Sequence, residues 1–406
     1  MSIPRHRLHG LSDTSRNKTI YLIQYLVYAA GIGLCASGYV QAFLLSAGMD
    51  VEGIGWYGAA MQGSSLCAYA LFLAVPVRPG TICRMLVGYC AVMAFYPLGL
   101  LFLSLSGGIP SAAQWLLVLH GVLFAAVSAL QASGEFSAIP FLFPRQDYGR
   151  LSAKGGMLGS IFGLIIGLGG VYALRNAEGM RAYSSFFLAA TILFALRAWL
   201  NAGYRPLASA EAEKKPRLTL CDTMKRCMSW RMLWRLAPHA LRGAGAAGMY
   251  YFPVILLGEH AMNGMENALF ITVGICAVVL GNFLFLRCGQ RAKPERVTLV
   301  ANTVCAICGL LVTLGLGFGW GLAFYGVFSM ANTLSGIAIP VCVLLTTSTE
   351  DLAMISSLRM LAMSGMTFLC MPPFARLLAH APIVVMGVAG VLYILTGTVF
   401  CLQRGR

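Results

Sequence analysis

The chain has 406 residues, of which 58% are hydrophobic and 11% charged, and its mean hydropathy is +0.76. A soluble domain carries about 25% charged residues, so this chain cannot clothe itself for water, and soluble enzymes and binding modules are excluded. The formal charge of +15 would point to nucleic acid only if the basic residues formed a patch on a solvated surface, and their positions show another cause.

Taken in chain order, apolar runs long enough to cross a bilayer fall near 20–46, 53–75, 83–105, 113–142, 152–174 and 182–202. A second set follows near 236–257, 267–287, 297–315, 319–346, 355–378 and 382–402. Backbone groups in hydrocarbon must bond within their own segment, so continuous runs of about 20 apolar residues read as helices rather than barrel strands. The 46 glycines suit membrane helices, which use small residues for close approach. The predicted fold is an all-α polytopic membrane protein with twelve transmembrane helices.

Lys and Arg orient it. With the N-terminus in the cytoplasm, the inside segments collect Arg5, Arg7, Arg16 and Lys18, then Arg78 and Arg84, then Arg145, Arg150 and Lys154. The centre of the chain adds eight more from Arg205 to Arg235, and the second half adds Arg287, Arg291, Lys293, Arg296, Arg359, Arg404 and Arg406. The outside loops hold only Arg175, Arg181 and Arg376, while Arg197 and Arg242 fall within spans. This is the positive-inside bias: the basic excess sets topology, no nucleic acid is implied, and both termini are expected in the cytoplasm of a bacterial-type inner membrane. The first apolar run lacks a small-residue cleavage site and reads as a retained span. The sequon Asn17-Lys18-Thr19 falls on the cytoplasmic side and is set aside.

Residues 203–235 form the longest polar stretch and divide the chain into bundles 1–202 and 236–406. Within it, Leu218, Leu220, Met224, Met228, Met232 and Leu233 alternate with Lys225, Arg226, Arg231 and Arg235, a pattern for a helix lying on the inner leaflet. The halves echo each other. Ala138-Ile139-Pro140 near the end of the fourth span recurs as Ala338-Ile339-Pro340 near the end of the tenth, each followed by an acidic residue, a serine and a basic residue (Asp147, Ser152, Lys154; Asp351, Ser356, Arg359). An internal six-helix repeat of this kind characterises secondary transporters, which bind substrate near the midplane between the repeats.

On this architecture the chain resembles the major facilitator superfamily over essentially its whole length. The loop between the second and third spans in that family reads like G-x3-D-R-x-G-R-R; here Val77-Arg78-Pro79-Gly80 keeps R-x-G, with Val77 where Asp is expected. The second-half counterpart Arg287-Cys288-Gly289-Gln290-Arg291 keeps Gly and Arg. In the fifth span Gly163 to Gly170 keeps part of the drug-antiporter pattern G-x3-G-P-x2-G-G but lacks its Pro. The resemblance implies two pseudo-symmetric six-helix bundles, with the first, fourth, seventh and tenth helices lining a central cavity.

Of the acidic residues, only Glu135 falls inside a span. Burying a carboxylate at a helix centre costs roughly 2.5–3.5 kcal/mol on insertion scales, and burial favours the protonated form, so Glu135 is the expected proton-coupling residue; the alternative is a carboxylate that holds neighbouring helices together. Arg242, seven residues past Arg235, is the matching cation, either paired with Glu135, binding an anionic group of the substrate, or snorkelling to the headgroups. On the helices the resemblance places at the cavity, Gln24, Tyr28, Gln41, His120, Gln131, Tyr250 and Asn332 are candidate substrate contacts, each of which could instead be helix–helix glue. Gly155, Gly159, Gly163 and Gly167 make a small-residue face on the fifth span.

The 13 cysteines read as apolar fillers, with no metal or disulfide framework. No G-x4-G-K-[ST], H-E-x-x-H or G-x-S-x-G pattern occurs, so neither a cofactor nor an enzyme is expected. The reading that results is a monomeric secondary active transporter of a small organic solute, driven by protons, with uptake favoured. The rivals are proton-driven efflux of amphipathic compounds and a non-transporting receptor on the same scaffold.

Overall fold

The computed structural model describes residues 5–35, 40, 43–44, 51–72, 79–106, 111–174, 180–207, 229–257, 264–289, 291–378 and 380–404. These form twelve long helices: α1 (Arg5–Leu34), α2 (Val51–Phe72), α3 (Pro79–Ser106), α4 (Ser111–Leu142), α5 (Tyr148–Leu174) and α6 (Ser184–Ala202), then α7 (Trp230–Met249), α8 (Gly264–Leu284), α9 (Pro294–Val312), α10 (Phe318–Thr346), α11 (Thr349–Leu378) and α12 (Pro382–Arg404). Each apolar run in the sequence corresponds to one of them. Eight have stretches long and apolar enough to cross a membrane. Large apolar side chains such as Leu71, Phe95, Phe102, Trp115, Val300, Trp320 and Leu369 are exposed, an extent of apolar surface that suits contact with lipid and not with water. The chain is a multi-pass membrane protein.

The helix boundaries have local causes. Pro79, Pro294 and Pro382 open α3, α9 and α12, where the missing N–H is one the first turn leaves unpaired anyway. Gly315 and Gly317 take positive φ between α9 and α10, a conformation that costs a Cβ-bearing residue. α7 starts at Trp230, ahead of the expected 236, because Ser229 caps it by accepting from the Met232 N–H at 3.4 Å. It stops at Met249 because Pro253 has no N–H to return to the carbonyl four residues back; a short helix, Phe252–Leu257, continues beyond the break. The basic interfacial segment expected within 203–235 falls largely on residues 208–228, outside the described residues.

The chain divides into two compact units, one of Met1–Pro144 with Leu158–Arg217, the other of Arg145–Met157 with Leu218–Arg406. In the first, α3 packs on α6 and α4, α2 on α4, and α1 on α6. In the second, α9 packs on α12 and α10, α8 on α10, and α7 on α12. Every one of these four pairings recurs with each helix number advanced by six, so the Ala-Ile-Pro echo in the sequence marks a repeat of packing as well. The first unit is closed by Phe43, Phe187 and Phe194, the second by Phe252, Phe328 and Met386. Asn17 of the sequon is fully buried and clamps α1 to the ends of α4 and α6, donating to the carbonyls of Leu142 (2.9 Å) and Arg205 (2.7 Å). In the second unit Arg145 donates to the carbonyls of Leu344 (3.1 Å) and Thr347 at the end of α10, where a cation favours the helix dipole.

Gly243 sets the α7–α11 crossing: a Cβ there would collide with the Met363 carbonyl oxygen, and its own carbonyl accepts from Thr367 Oγ1 at 2.9 Å. Gly163 on α5, by contrast, has open space where its Cβ would be. Gly243→Ala is therefore expected to destabilise by about 1–3 kcal/mol, the usual cost of overpacking, and Gly163→Ala to be neutral or slightly stabilising. Thermal melting of the purified variants checks both.

Candidate functional site

The first unit encloses a four-residue polar cluster centred on Glu135. Glu135 Oε1 accepts from Gln24 Nε2 at 2.7 Å, and Oε2 accepts from Gln131 Nε2 at 2.6 Å and from Arg197 Nη2 at 2.9 Å. Gln24 also accepts from Arg197 Nε at 2.7 Å, so its amide bridges acid and base with both ends correctly oriented. The Arg197 guanidinium lies 3.9 Å over the Tyr28 ring, a cation–π contact. Helix periodicity builds the arrangement. Gln24 and Tyr28 are four apart on α1, Gln131 and Glu135 four apart on α4, and such pairs share a face; α6 brings Arg197 against both.

Burial differs sharply within the pair. The Arg197 side chain is 1% exposed and that of Glu135 is 21% exposed. A guanidinium shut in a low-dielectric interior as completely as that of Arg197 calls for a counter-charge, whereas the Glu135 side chain keeps about a fifth of its surface open. Just beyond α6, Tyr204 lies within electrostatic range of both; burial first, and the Glu135 charge second, hold its hydroxyl well above the usual tyrosine range, so it stays neutral.

The second unit has a cluster of the same plan with a different charge balance. Arg242 on α7 donates from Nη1 to Asn302 Oδ1 at 2.7 Å and from Nη2 to Asn332 Oδ1, and its guanidinium lies 4.0 Å over the Tyr393 ring. Ser335 Oγ donates to the same Asn302 oxygen at 2.7 Å. In the first unit the arginine comes from the sixth helix and the tyrosine from the first; in the second the arginine comes from α7, the counterpart of α1, and the tyrosine from α12, the counterpart of α6. Glu135 precedes Ala138-Ile139-Pro140 by three residues, and Ser335 precedes Ala338-Ile339-Pro340 by three. Where the first unit has its acid, the second has a hydroxyl. Arg242 is 8% exposed, and among the described residues no carboxylate forms an ion pair with it.

Of the residues singled out in the sequence, Gln24, Tyr28, Gln131 and Glu135 come together, as do Arg242 and Asn332. The ion pair described for Glu135 is with Arg197, which the sequence placed in a span without a role. His120 stands apart. It is fifteen residues from Glu135, about 22 Å along α4, with Nε2 2.9 Å from the Tyr96 carbonyl and its ring stacked on Tyr96. Tyr250 sits at the break after α7, 63% exposed. Gln41, like Val77 and Arg78 of the loop motif, lies outside the described residues. Glu295 is a further buried acid, in the first turn of α9 at the end of a span, since α9 begins at Pro294 rather than 297.

No family model matches the chain, and no curated protein matches it. The likeness is structural. The E. coli fucose:proton symporter FucP aligns with a TM-score of 0.74 at 12% identity, over 97% of this chain and 99% of that one. A bacterial homologue of the iron transporter ferroportin, in an outward-facing state, gives 0.70 at 13% identity, over 96% and 100%. The proton:xylose symporter XylE gives 0.69 at 11% identity, over 96% and 95%. The chain shares the fold of these transporters, with twelve long helices in two six-helix repeats.

The Glu135–Arg197 pair makes a thermodynamic prediction. Removing one member of a buried pair strands the other charge, at a cost of about 3–5 kcal/mol, whereas removing both is far less costly. Arg197→Met and Glu135→Gln should each lower the melting temperature, Glu135→Gln the more because it strands the fully buried guanidinium, and the double variant should be more stable than Glu135→Gln alone. A double variant whose losses simply add would show that the two charges do not interact.

Proposed function

We propose that this protein is a secondary transporter that carries a small organic solute across the membrane by alternating access, coupled to protons through Glu135 and favouring uptake. The observation that carries this reading is the Glu135–Arg197 pair: a partly exposed acid held by a fully buried base and two glutamines from three helices. When Glu135 takes a proton, the guanidinium loses its counter-charge and three charge-assisted or amide contacts weaken together, so protonation and the packing of α1, α4 and α6 become linked quantities. The fold it shares with FucP and XylE, both named as proton symporters, supports the same reading. The charge bias of the sequence supports an inner-membrane location with cytoplasmic termini.

In this reading Arg242 faces an anionic group of the solute. Its described partners are neutral amides, a hydroxyl-bearing neighbour and a tyrosine face, which orient a guanidinium without neutralising it. Asn332, bonded to it, sits in the same cluster.

A thermal-shift screen of sugars, amino acids, organic acids and amphipathic cations selects the solute, which is then added to liposomes that contain the protein and a pH-sensitive dye. The expected result is acidification of the lumen by wild type. Glu135→Gln should keep the solute-induced thermal shift and lose the acidification, whereas acidification at the wild-type rate in Glu135→Gln removes that residue from coupling. Arg242→Gln should lose the thermal shift given by anionic solutes, and an unchanged shift there contradicts the anionic contact.

A further inference from the structure

Beside the Glu135 cluster, α6 and the residues after it carry a stripe of polar side chains that the described protein atoms leave partly unmet. Arg197, Asn201 and Tyr204 follow at intervals of four and three residues, so they share one face over seven residues, about 10 Å. Each is more than nine-tenths buried: 1%, 2% and 7% exposed in that order. Among the described residues, Arg197 Nη1, Asn201 Oδ1 and Tyr204 Oη have no hydrogen-bond partner. The other end of the Asn201 amide is fixed, Nδ2 donating to Cys90 Sγ on α3 at 3.2 Å.

The stripe has a direction. One end is the Glu135–Arg197 pair. The other is Tyr204, whose neighbour Arg205 is 61% exposed and pairs with Asp13 at 3.6 Å on the protein surface. In the second unit's cluster, among the described residues, no buried polar atom of Arg242, Asn302, Asn332 or Ser335 lacks a partner; in that unit Ser357 Oγ on α11 does. Buried polar groups are almost always hydrogen-bonded, to ordered water where no protein group serves. Side chains one helical turn apart have Cβ atoms about 5–6 Å from one another, and where their polar ends do not meet, as with these three atoms, a bridging water reaching about 2.8 Å to each side can join them.

We propose that a short file of internal water molecules lies along this stripe, bridging Arg197 to Asn201 and Asn201 to Tyr204, and conducts protons between Glu135 and the surface end of α6. The first water accepts from Arg197 Nη1–H, and the waters hydrogen-bond directly to one another past Asn201, whose Oδ1 only accepts and holds them in place. A proton given up by Glu135 hops from water to water, and the Tyr204 hydroxyl takes it while releasing its own toward the surface, so no group along the file is changed at the end. Arg197 remains a cation throughout. Once Glu135 is protonated, that uncompensated charge repels the proton and drives it out along the file. The conduction role rests on the proton-coupled reading above, whereas the presence of water does not.

Millisecond X-ray footprinting in lipid nanodiscs separates the two, because radicals generated from bound water oxidise the side chains beside it. Tyr204 should be oxidised several times faster than Tyr393, which is at least as deeply buried but belongs to the second cluster. Asn201→Leu should bring the Tyr204 rate down to that of Tyr393. Equal rates for the two tyrosines in wild type would overturn the water file, whatever Glu135 does. In dye-loaded liposomes, Tyr204→Phe should slow solute-driven acidification severalfold while leaving the solute-induced thermal shift intact. Fast Tyr204 oxidation combined with unaltered acidification in Tyr204→Phe would leave the water in place and overturn its conduction role. Unaltered acidification in Glu135→Gln would instead overturn the coupling reading.

Discussion

A guanidinium shut in as completely as that of Arg197 is costly unless a charge of opposite sign lies close by. Arg197 satisfies that constraint with Glu135, and the two glutamines and Tyr28 are arranged around the result. The cost of desolvating both charges is offset only when their remaining hydrogen-bonding capacity is also met; three donors converge on the Glu135 carboxylate, and the Gln24 amide touches both partners. Three helices are thereby tied at one point. Loss of either charge is felt by all three, which is the property a coupling site needs.

The second unit shows what the same scaffold does without the acid. Ser335 occupies the register position of Glu135, and Arg242 is steadied by Asn302, Asn332 and Tyr393. An arginine over a tyrosine appears in both units, but the residue types are exchanged between the corresponding helices. The repeat has therefore kept a geometry while redistributing charge. One unit holds a neutral ion pair with a partly exposed carboxyl, and the other holds a cation among neutral dipoles. The proposed proton site and the proposed anion site rest on those two arrangements.

Much of this was legible in the sequence. Twelve apolar runs became twelve helices because hydrocarbon leaves a continuous apolar segment no other way to satisfy its backbone. Glu135 stood out as the acid within a span, and the i, i+4 spacing of Gln24 with Tyr28 and of Gln131 with Glu135 already placed each pair on one face. The partner of Glu135 was not legible. Arg197 and Arg242 are both basic residues within spans, and which of them meets the acid depends on how α6 packs on α1 and α4, which spacing along one chain does not encode. His120 fails for a related reason: it shares a helix with Glu135, but its depth puts it against Tyr96. The break after α7 and the early start of α9 trace to Pro253 and Pro294, single residues that an apolar-run reading passes over.

Proton coupling of the proposed kind requires that the Glu135 carboxyl gain and lose a proton inside the membrane-embedded bundle. Infrared difference spectroscopy of the lipid-reconstituted protein, titrated from neutral to acidic pH, observes that directly. The predicted result is a protonated-carboxyl carbonyl band in wild type that is missing from Glu135→Gln. Identical carboxyl spectra for the two proteins across the titration would contradict it.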